Sequence, residues 1–165
     1  MDKQELESML IDLESDLVER KASLRDPDRI RQAICAYAND LPNHHKPGFI
    51  FIGANDDGSC SNLEITDALL LNLSYMKDDG KIQPFPSIII DKKVINGCEM
   101  AVVQVEPSKS PPVRLNGVTW IRVGPRRARA TPAEEKRLAE RRRSRDLPFD
   151  LQAVPSATIK DLNLE

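Results

Sequence analysis

The sequence predicts an α+β fold: a single mixed, mostly antiparallel sheet of about five or six strands with helices packed against it. Three observations carry this. Helical periods and β-rich runs share one chain of 165 residues, a length that suits one compact domain with a real core. Two Asn-Gly pairs, Asn96-Gly97 and Asn116-Gly117, each lie between runs that read as strands, the pattern of a hairpin turn. The run "FIFIGAN", starting at Phe49, is apolar with β-branched and aromatic side chains and reads as a central strand.

The elements follow in order. "KQELESMLIDLE" places Leu6, Met9, Leu10 and Leu13 at helical spacing, so an amphipathic helix opens the chain. "ESDLVERKAS", Glu14 to Ser23, alternates like a first strand, yet it puts Glu14, Glu19 and Lys21 where a half-buried strand keeps an apolar face. "RDPDRIRQAICAYAND" is the clearest helix: Asp26 is its N-cap, Pro27 takes the first helical position, and Ile30, Ala33, Ile34, Tyr37 and Ala38 form its buried stripe. A polar loop, "LPNHHKPG", leads into the central strand, which the turn "NDDG" closes. "ITDALLLNLSYMKDDG" is a helix with Leu69, Leu70, Leu73 and Met76 inward, stopped by Gly80. The two Asn-Gly hairpins come next. "TPAEEKRLAERRRSR" then opens with Thr131 as N-cap, Pro132 after it and Glu134 three residues on, a capping box. Residues 1–150 read as the domain, and 151–165 as a linker or the lead-in to a further C-terminal region.

Composition excludes several classes. Hydrophobic residues make up 40% and charged residues 30%, as in soluble globular proteins. No segment reaches membrane-spanning length, and "MDKQELESML" lacks the basic start and apolar run of a signal peptide, so a cytoplasmic location is expected. The cysteines Cys35, Cys60 and Cys98 are far apart, odd in number and without a C-x-x-C pair; neither a zinc site nor a disulfide framework is indicated, and Cys35 and Cys98 read as small core residues. Phosphate-loop, nucleophile-elbow and H-E-x-x-H signatures are all missing. The adjacent His44 and His45 read as part of a solvated loop rather than as ligands.

The net charge of −2 makes no whole-chain case for nucleic acid, but its distribution is uneven. The stretch "RRARATPAEEKRLAERRRSR" is strongly basic, and a local patch attracts phosphate whatever the sum. Arg137, Arg141 and Arg145 recur every four residues on the last helix, a stripe that suits a phosphate backbone or simply a solvated helix end. Arg114 and Arg122 lie on strands near Trp120, with Arg126 and Arg127 just beyond; Trp120 reads either as a stacking surface or as core. Among the acids, Glu14 and Glu19 are five apart, on opposite faces of an ideal strand, so spacing alone makes no metal site. Asp56 and Asp57 follow the central strand, where the turn reading of "NDDG" outweighs a ligand reading.

Taken in order, five stretches resemble the Schlafen-type AlbA-like domain, often labelled a DNA-binding domain of bacterial transcriptional regulators. They are "ESDLVERK", "ICAYAND", "FIGANDDG", "PPVRLNGVTWIRVG" and "ARATPAEEKRL", spanning about residues 8–150. Two departures stand out: Arg20 occupies an aromatic position of the first motif, and "NDLPNHHKPG" is longer than the usual loop and keeps one glycine, Gly48. The resemblance implies nucleic-acid binding, DNA or RNA. Eukaryotic members similar to it cut structured RNA with three acids, which fall here on Glu14, Glu19 and Asp56, with Lys21 as the basic partner; the implied cofactor is Mg²⁺ or Mn²⁺ held by the three acids. Because those members pair two copies of the domain, the resemblance also implies a homodimer. Three readings result: a nucleic-acid-binding module of a transcriptional regulator, a metal-dependent endoribonuclease with phage defence as one setting for it, and a dimerisation or interaction domain.

Overall fold

The computed structural model describes residues 2–13 and 15–146, with the side chains of 145 and 146 left outside the description. Four helices and eight strands run α1 (Lys3–Ile11), β1 (Val18–Lys21), α2 (Pro27–Asn39), β2 (Gly48–Ile52), α3 (Asp67–Tyr75), β3 (Ile82–Gln83), β4 (Ile88–Ile95), β5 (Cys98–Val105), β6 (Arg114–Leu115), β7 (Val118–Val123), β8 (Arg126–Arg129) and α4 (Pro132–Asp146). The α+β class expected from the sequence is what the chain adopts. The strands, however, do not gather in one sheet. They form two four-stranded sheets, ordered β1-β2-β5-β4 and β3-β6-β7-β8. Two short strands absent from the sequence reading, β3 and β8, complete the second sheet. β8 is the arginine-rich "RRAR", whose composition carries no β signal and which pairs with β7 across the Gly124 turn.

The first sheet is mixed: β1 lies parallel to β2, and the other pairs are antiparallel. The parallel pair is joined through α2, as a crossover requires. Both hairpin turns are present, with positive φ at Asn96 and Gly97 and again at Asn116 and Gly117, which only the primed turn types need.

The apolar run of β2 is explained by burial on both faces. Ile50 and Ile52 enter the core shared with α2 and α3, while Phe49 and Phe51 enter a second core beneath α1, with Leu6 and Leu10. α2 itself lies between the sheets, touching β2 and β5 on one side and β6 and β7 on the other. This is why Ile30 and residues 33–39 without a break are buried, a wider face than the five-residue stripe of a surface helix. Asn39 is buried with them and makes up for its polarity through Val113 and Trp120: its Nδ2 donates to both carbonyls, at 2.9 and 2.8 Å, and its Oδ1 accepts from Val113 N at 2.6 Å. α4 closes the second sheet by seating Leu138 on Ile121 and Leu41.

One cysteine expectation is corrected. Cys60 and Cys98 form a disulfide across 38 residues, joining the loop after β2 to the start of β5. Wide separation in sequence hid a pairing that the fold creates. Cys35 is free and buried, as expected, and burial pushes its thiol pKa up to about 11.

Candidate functional site

The charged face of β1 sits where the inner core ends. β1 is the edge of its sheet, and its register sets Glu19 beside Ile50 and Lys21 beside Ile52. Glu19 and Lys21 therefore share the face on which Ile50 and Ile52 are core, but one strand further out, at the rim. There they meet α2 and the β7–β8 hairpin around a cleft of about 450 Å³. Five cationic side chains face it, Lys21, Arg29, Arg122, Arg126 and Arg127, against two carboxylates, Glu19 and Asp56, with Gln32 and Trp120 completing the wall and Arg20 at its margin.

Glu19 is the hub of this set. Its Oε1 accepts a hydrogen bond from Arg122 Nη1 at 2.6 Å. Its Oε2 lies 3.0 Å from Lys21 Nζ and 3.4 Å from Arg127 Nη1, as ion pairs without hydrogen-bond alignment. The Glu19 and Arg122 side chains are only 10% and 6% exposed, so their charges act through little solvent. Arg122 is further fixed by the Tyr37 ring, whose centroid lies 5.2 Å from its guanidinium carbon. Gly48 makes room for that ring: a Cβ there would fall inside it. The glycine kept in the lengthened loop thus supports the cleft at one remove. Burial raises the Tyr37 hydroxyl pKa, with Arg122 opposing the shift, and the hydroxyl has no hydrogen-bond partner among the described residues. Arg122 Nε is likewise buried without one.

Arg127 also donates to the Arg29 carbonyl at 2.5 Å, tying β8 to α2. Trp120 packs against the main core, as the core alternative expects, and also lines the cleft, with Arg129 over it at 5.7 Å. Asp56 and Asp57 point to different surroundings. Asp57 builds the turn by accepting from Ser59 N and Oγ at 2.9 and 2.5 Å, bonds that lower its pKa, while the exposed Asp56 faces the cleft.

The other expected site residues are distributed differently. Glu14 lies outside the described residues, as do 151–165. Among the described residues no three His, Cys, Asp or Glu side chains come together to hold a metal. Glu19 faces three cations rather than an open coordination position, so the described donors do not fit Mg²⁺ or Mn²⁺. Arg20 does not compete for Glu19. It points to the opposite face and caps α1, donating to the carbonyls of Leu10 (2.7 Å), Asp12 (2.9 Å) and Met9 (3.3 Å). α1 has no basic residue in its last turn, and Arg20 supplies that charge from β1.

The helix stripe is corrected in part. Arg141 does not face the cleft; it donates to the carbonyls of Asn39 (3.2 Å), Asp40 (2.8 Å) and Leu41 (3.0 Å) and so caps α2. Arg114 pairs with Glu135 at 3.4 Å, Arg137 is exposed outside the cleft, and the Arg145 side chain lies outside the description. His44 and His45 are loop residues: their backbone N–H groups bond to Asp40 at 2.9 and 3.0 Å, and the His44 ring meets Asp16 at 3.0 Å. Arg29 and Gln32 were not singled out in the sequence. They share one face of α2, three residues apart, and only the placement of β8 turns that face into a wall.

Comparison with known proteins agrees with this framework. No curated protein matches the chain. A crystal structure of the DIP2311 protein from Corynebacterium diphtheriae is similar in fold, with a TM-score of 0.53 at 15% identity; the match covers 79% of this chain and 30% of that one. The sequence model of the family described as Schlafen, AlbA_2 matches residues 14–131, which include β1 with Glu19 and Lys21, the Asp56 turn and the β7–β8 hairpin. The chain belongs to the Schlafen AlbA_2 family.

Proposed function

We propose that this chain is a cytoplasmic nucleic-acid-binding domain that grips the phosphate backbone in the cleft between β1, α2 and the β7–β8 hairpin. The observation that carries this reading is the convergence of five cationic side chains, Lys21, Arg29, Arg122, Arg126 and Arg127, on one cleft in a chain whose net charge is −2. Arg126 is exposed, Arg29 is exposed while pairing with Asp26 at 3.2 Å, and Lys21 and Arg127 reach the cleft from the Glu19 hub, so four cations are placed to exchange or share these pairs with phosphate oxygens. Trp120 adds an aromatic surface for an unpaired base. Use in a transcriptional regulator is consistent with such binding. Reversing Arg126 and Arg127 to Glu tests the reading: affinity for labelled DNA or RNA should fall at least tenfold, two charge-assisted contacts being worth roughly that or more. Unchanged affinity would put the interface elsewhere.

A second reading, a metal-dependent endoribonuclease, is favoured by one observation: Glu19, Asp56 and Lys21 line the same cleft. The ion pairs of Glu19 weigh against it. Incubation with structured RNA and Mn²⁺, with and without chelator, separates the readings, since a binding module leaves the RNA intact in both. A homodimer is part of the proposal. It is supported by β4, an eight-residue strand at the end of its sheet with Ile89 and Val94 half exposed. Light scattering at the 18.5 kDa of one chain across micromolar concentrations would contradict it.

A further inference from the structure

We propose that the Cys60–Cys98 pair is a thiol–disulfide exchange site whose redox state sets the position of Asp56, and through it the phosphate affinity of the cleft. The affinity half rests on the nucleic-acid-binding reading above.

The loop from Gly53 to Asn62 carries Asp56 to the cleft and is held toward β1, toward β5 and, through Gly58, against Leu10 and Ile11 at the end of α1. Toward β1, Gly53 N donates to Lys21 O at 2.7 Å and Ser61 Oγ to Ala22 O at 2.8 Å. Toward β5, the disulfide ties Cys60 to Cys98. Between the anchors the loop is bonded to itself, with Asn55 N to Ser59 O at 2.8 Å and Ser61 N to Gly53 O at 3.0 Å. Loss of the β5 anchor leaves the loop held at β1 and by the Gly58 contact with α1, and on the proposal it then shifts as a unit about them, carrying Asp56.

The pair suits exchange with a dithiol reductant. Cys60 is half-buried while Cys98 is 6% exposed, so an incoming thiolate reaches Cys60 Sγ first. Its attack forms a mixed disulfide with Cys60 and expels Cys98 as a thiolate, which takes up a proton. The second thiol of the reductant then attacks the mixed disulfide and releases Cys60. The protein gains two electrons and two protons, and the reductant leaves as its own disulfide. Both new S–H groups have acceptors nearby: Asn62 Oδ1 is 3.6 Å from Cys60 Sγ, and the carbonyls of Glu99 and Gly53 are 3.6 and 3.8 Å from Cys98 Sγ. A disulfide in a cytoplasmic protein is in most cases a transient, redox-responsive one.

The direction follows from charge. The oxidised loop holds the Asp56 carboxylate on the cleft, where it repels phosphate; the reduced loop lets it withdraw. One unit charge acting through water at about 6 Å changes affinity roughly threefold. The test titrates a fluorescein-labelled oligouridylate and a labelled DNA duplex into oxidised and dithiothreitol-reduced protein, with amide hydrogen exchange followed over residues 54–61 in the same two states. The reduced form should bind roughly threefold tighter and exchange faster at 54–61. The Cys60→Ser/Cys98→Ser variant should match it with or without reductant, and Asp56→Asn should bind alike in both states. Equal affinity of the two wild-type states, or a redox difference that survives in Asp56→Asn, overturns the inference while leaving the binding reading intact. Failure of both states to bind either probe overturns the binding reading and the affinity half with it. Exchange at 54–61 that is unchanged by reduction overturns the loop movement whatever binds.

Discussion

Arg122 donates to Glu19 at 2.6 Å from a side chain that is 6% exposed, joining β7 of one sheet to β1 of the other at the base of the cleft. Both side chains are largely buried, and without Arg122 the Glu19 Oε1 loses its hydrogen-bond donor while Oε2 keeps only its ion pairs with Lys21 and Arg127. Arg122→Met should therefore lower stability by about 3 kcal/mol, the usual cost of stranding one member of a buried pair. Urea denaturation measures it as a shifted midpoint at constant slope. A loss under about 1 kcal/mol would mean that Lys21 and Arg127 alone satisfy Glu19.

Gly48 and Tyr37 form a second dependent pair. A methyl group at 48 would overlap the Tyr37 ring, so Gly48→Ala should destabilise by about 1–3 kcal/mol or more, as overpacking does. In a Tyr37→Ala background the same change should cost little, giving a coupling energy of at least about 1 kcal/mol. Additive effects in the double-mutant cycle would show that the ring does not bear on Gly48.

Thiol titration checks the cysteine assignments. The oxidised, folded protein should show no thiol reactive at neutral pH, because Cys35 is buried with its pKa pushed up to about 11. Denaturation without reductant should expose one thiol, and denaturation with reductant all three cysteines of the chain. Replacing Cys60 and Cys98 by serine should lower stability by about 3–4 kcal/mol, from the loop-closure entropy of a cross-link spanning 38 residues. Three thiols exposed by denaturation without reductant would contradict the pairing.

Local signals made much of the fold legible. The Asp26-Pro27 start of α2, the Thr131–Glu134 capping box and both Asn-Gly turns are determined by neighbours in sequence, and each appears in place. Helix periodicity also located Leu69, Leu73 and Met76 in the core. What could not be read depends on pairing between distant segments. β8 has no β-forming composition and exists because β7 offers it an edge. The disulfide needs β5 beside the Asp56 loop. Arginines are the hardest case, because the same side chain serves as ligand or as cap according to what lies opposite. Arg20 and Arg141 each cap a helix from another element, at separations in sequence of 8–11 and 100–102 residues. The residues that the family resemblance points to, Glu19, Lys21 and Asp56, line one cleft; the hub of cations around Glu19 is visible only in three dimensions.

The central claim is that cleft cations bind phosphate, and the salt dependence of binding tests it most directly. Affinity for a DNA duplex is measured by anisotropy from roughly 50 to 200 mM salt, the range over which counterion release is readily resolved. Lys21, Arg29, Arg126 and Arg127 engaging one phosphate each give a slope of log K against log salt of about −3 to −4, at about −0.9 per phosphate. Arg126→Glu/Arg127→Glu should flatten it by about two, while Arg114→Glu, outside the cleft and paired with Glu135, should leave it near the wild-type value. A wild-type slope near zero, or a slope lost with Arg114 and kept without Arg126 and Arg127, would contradict the account.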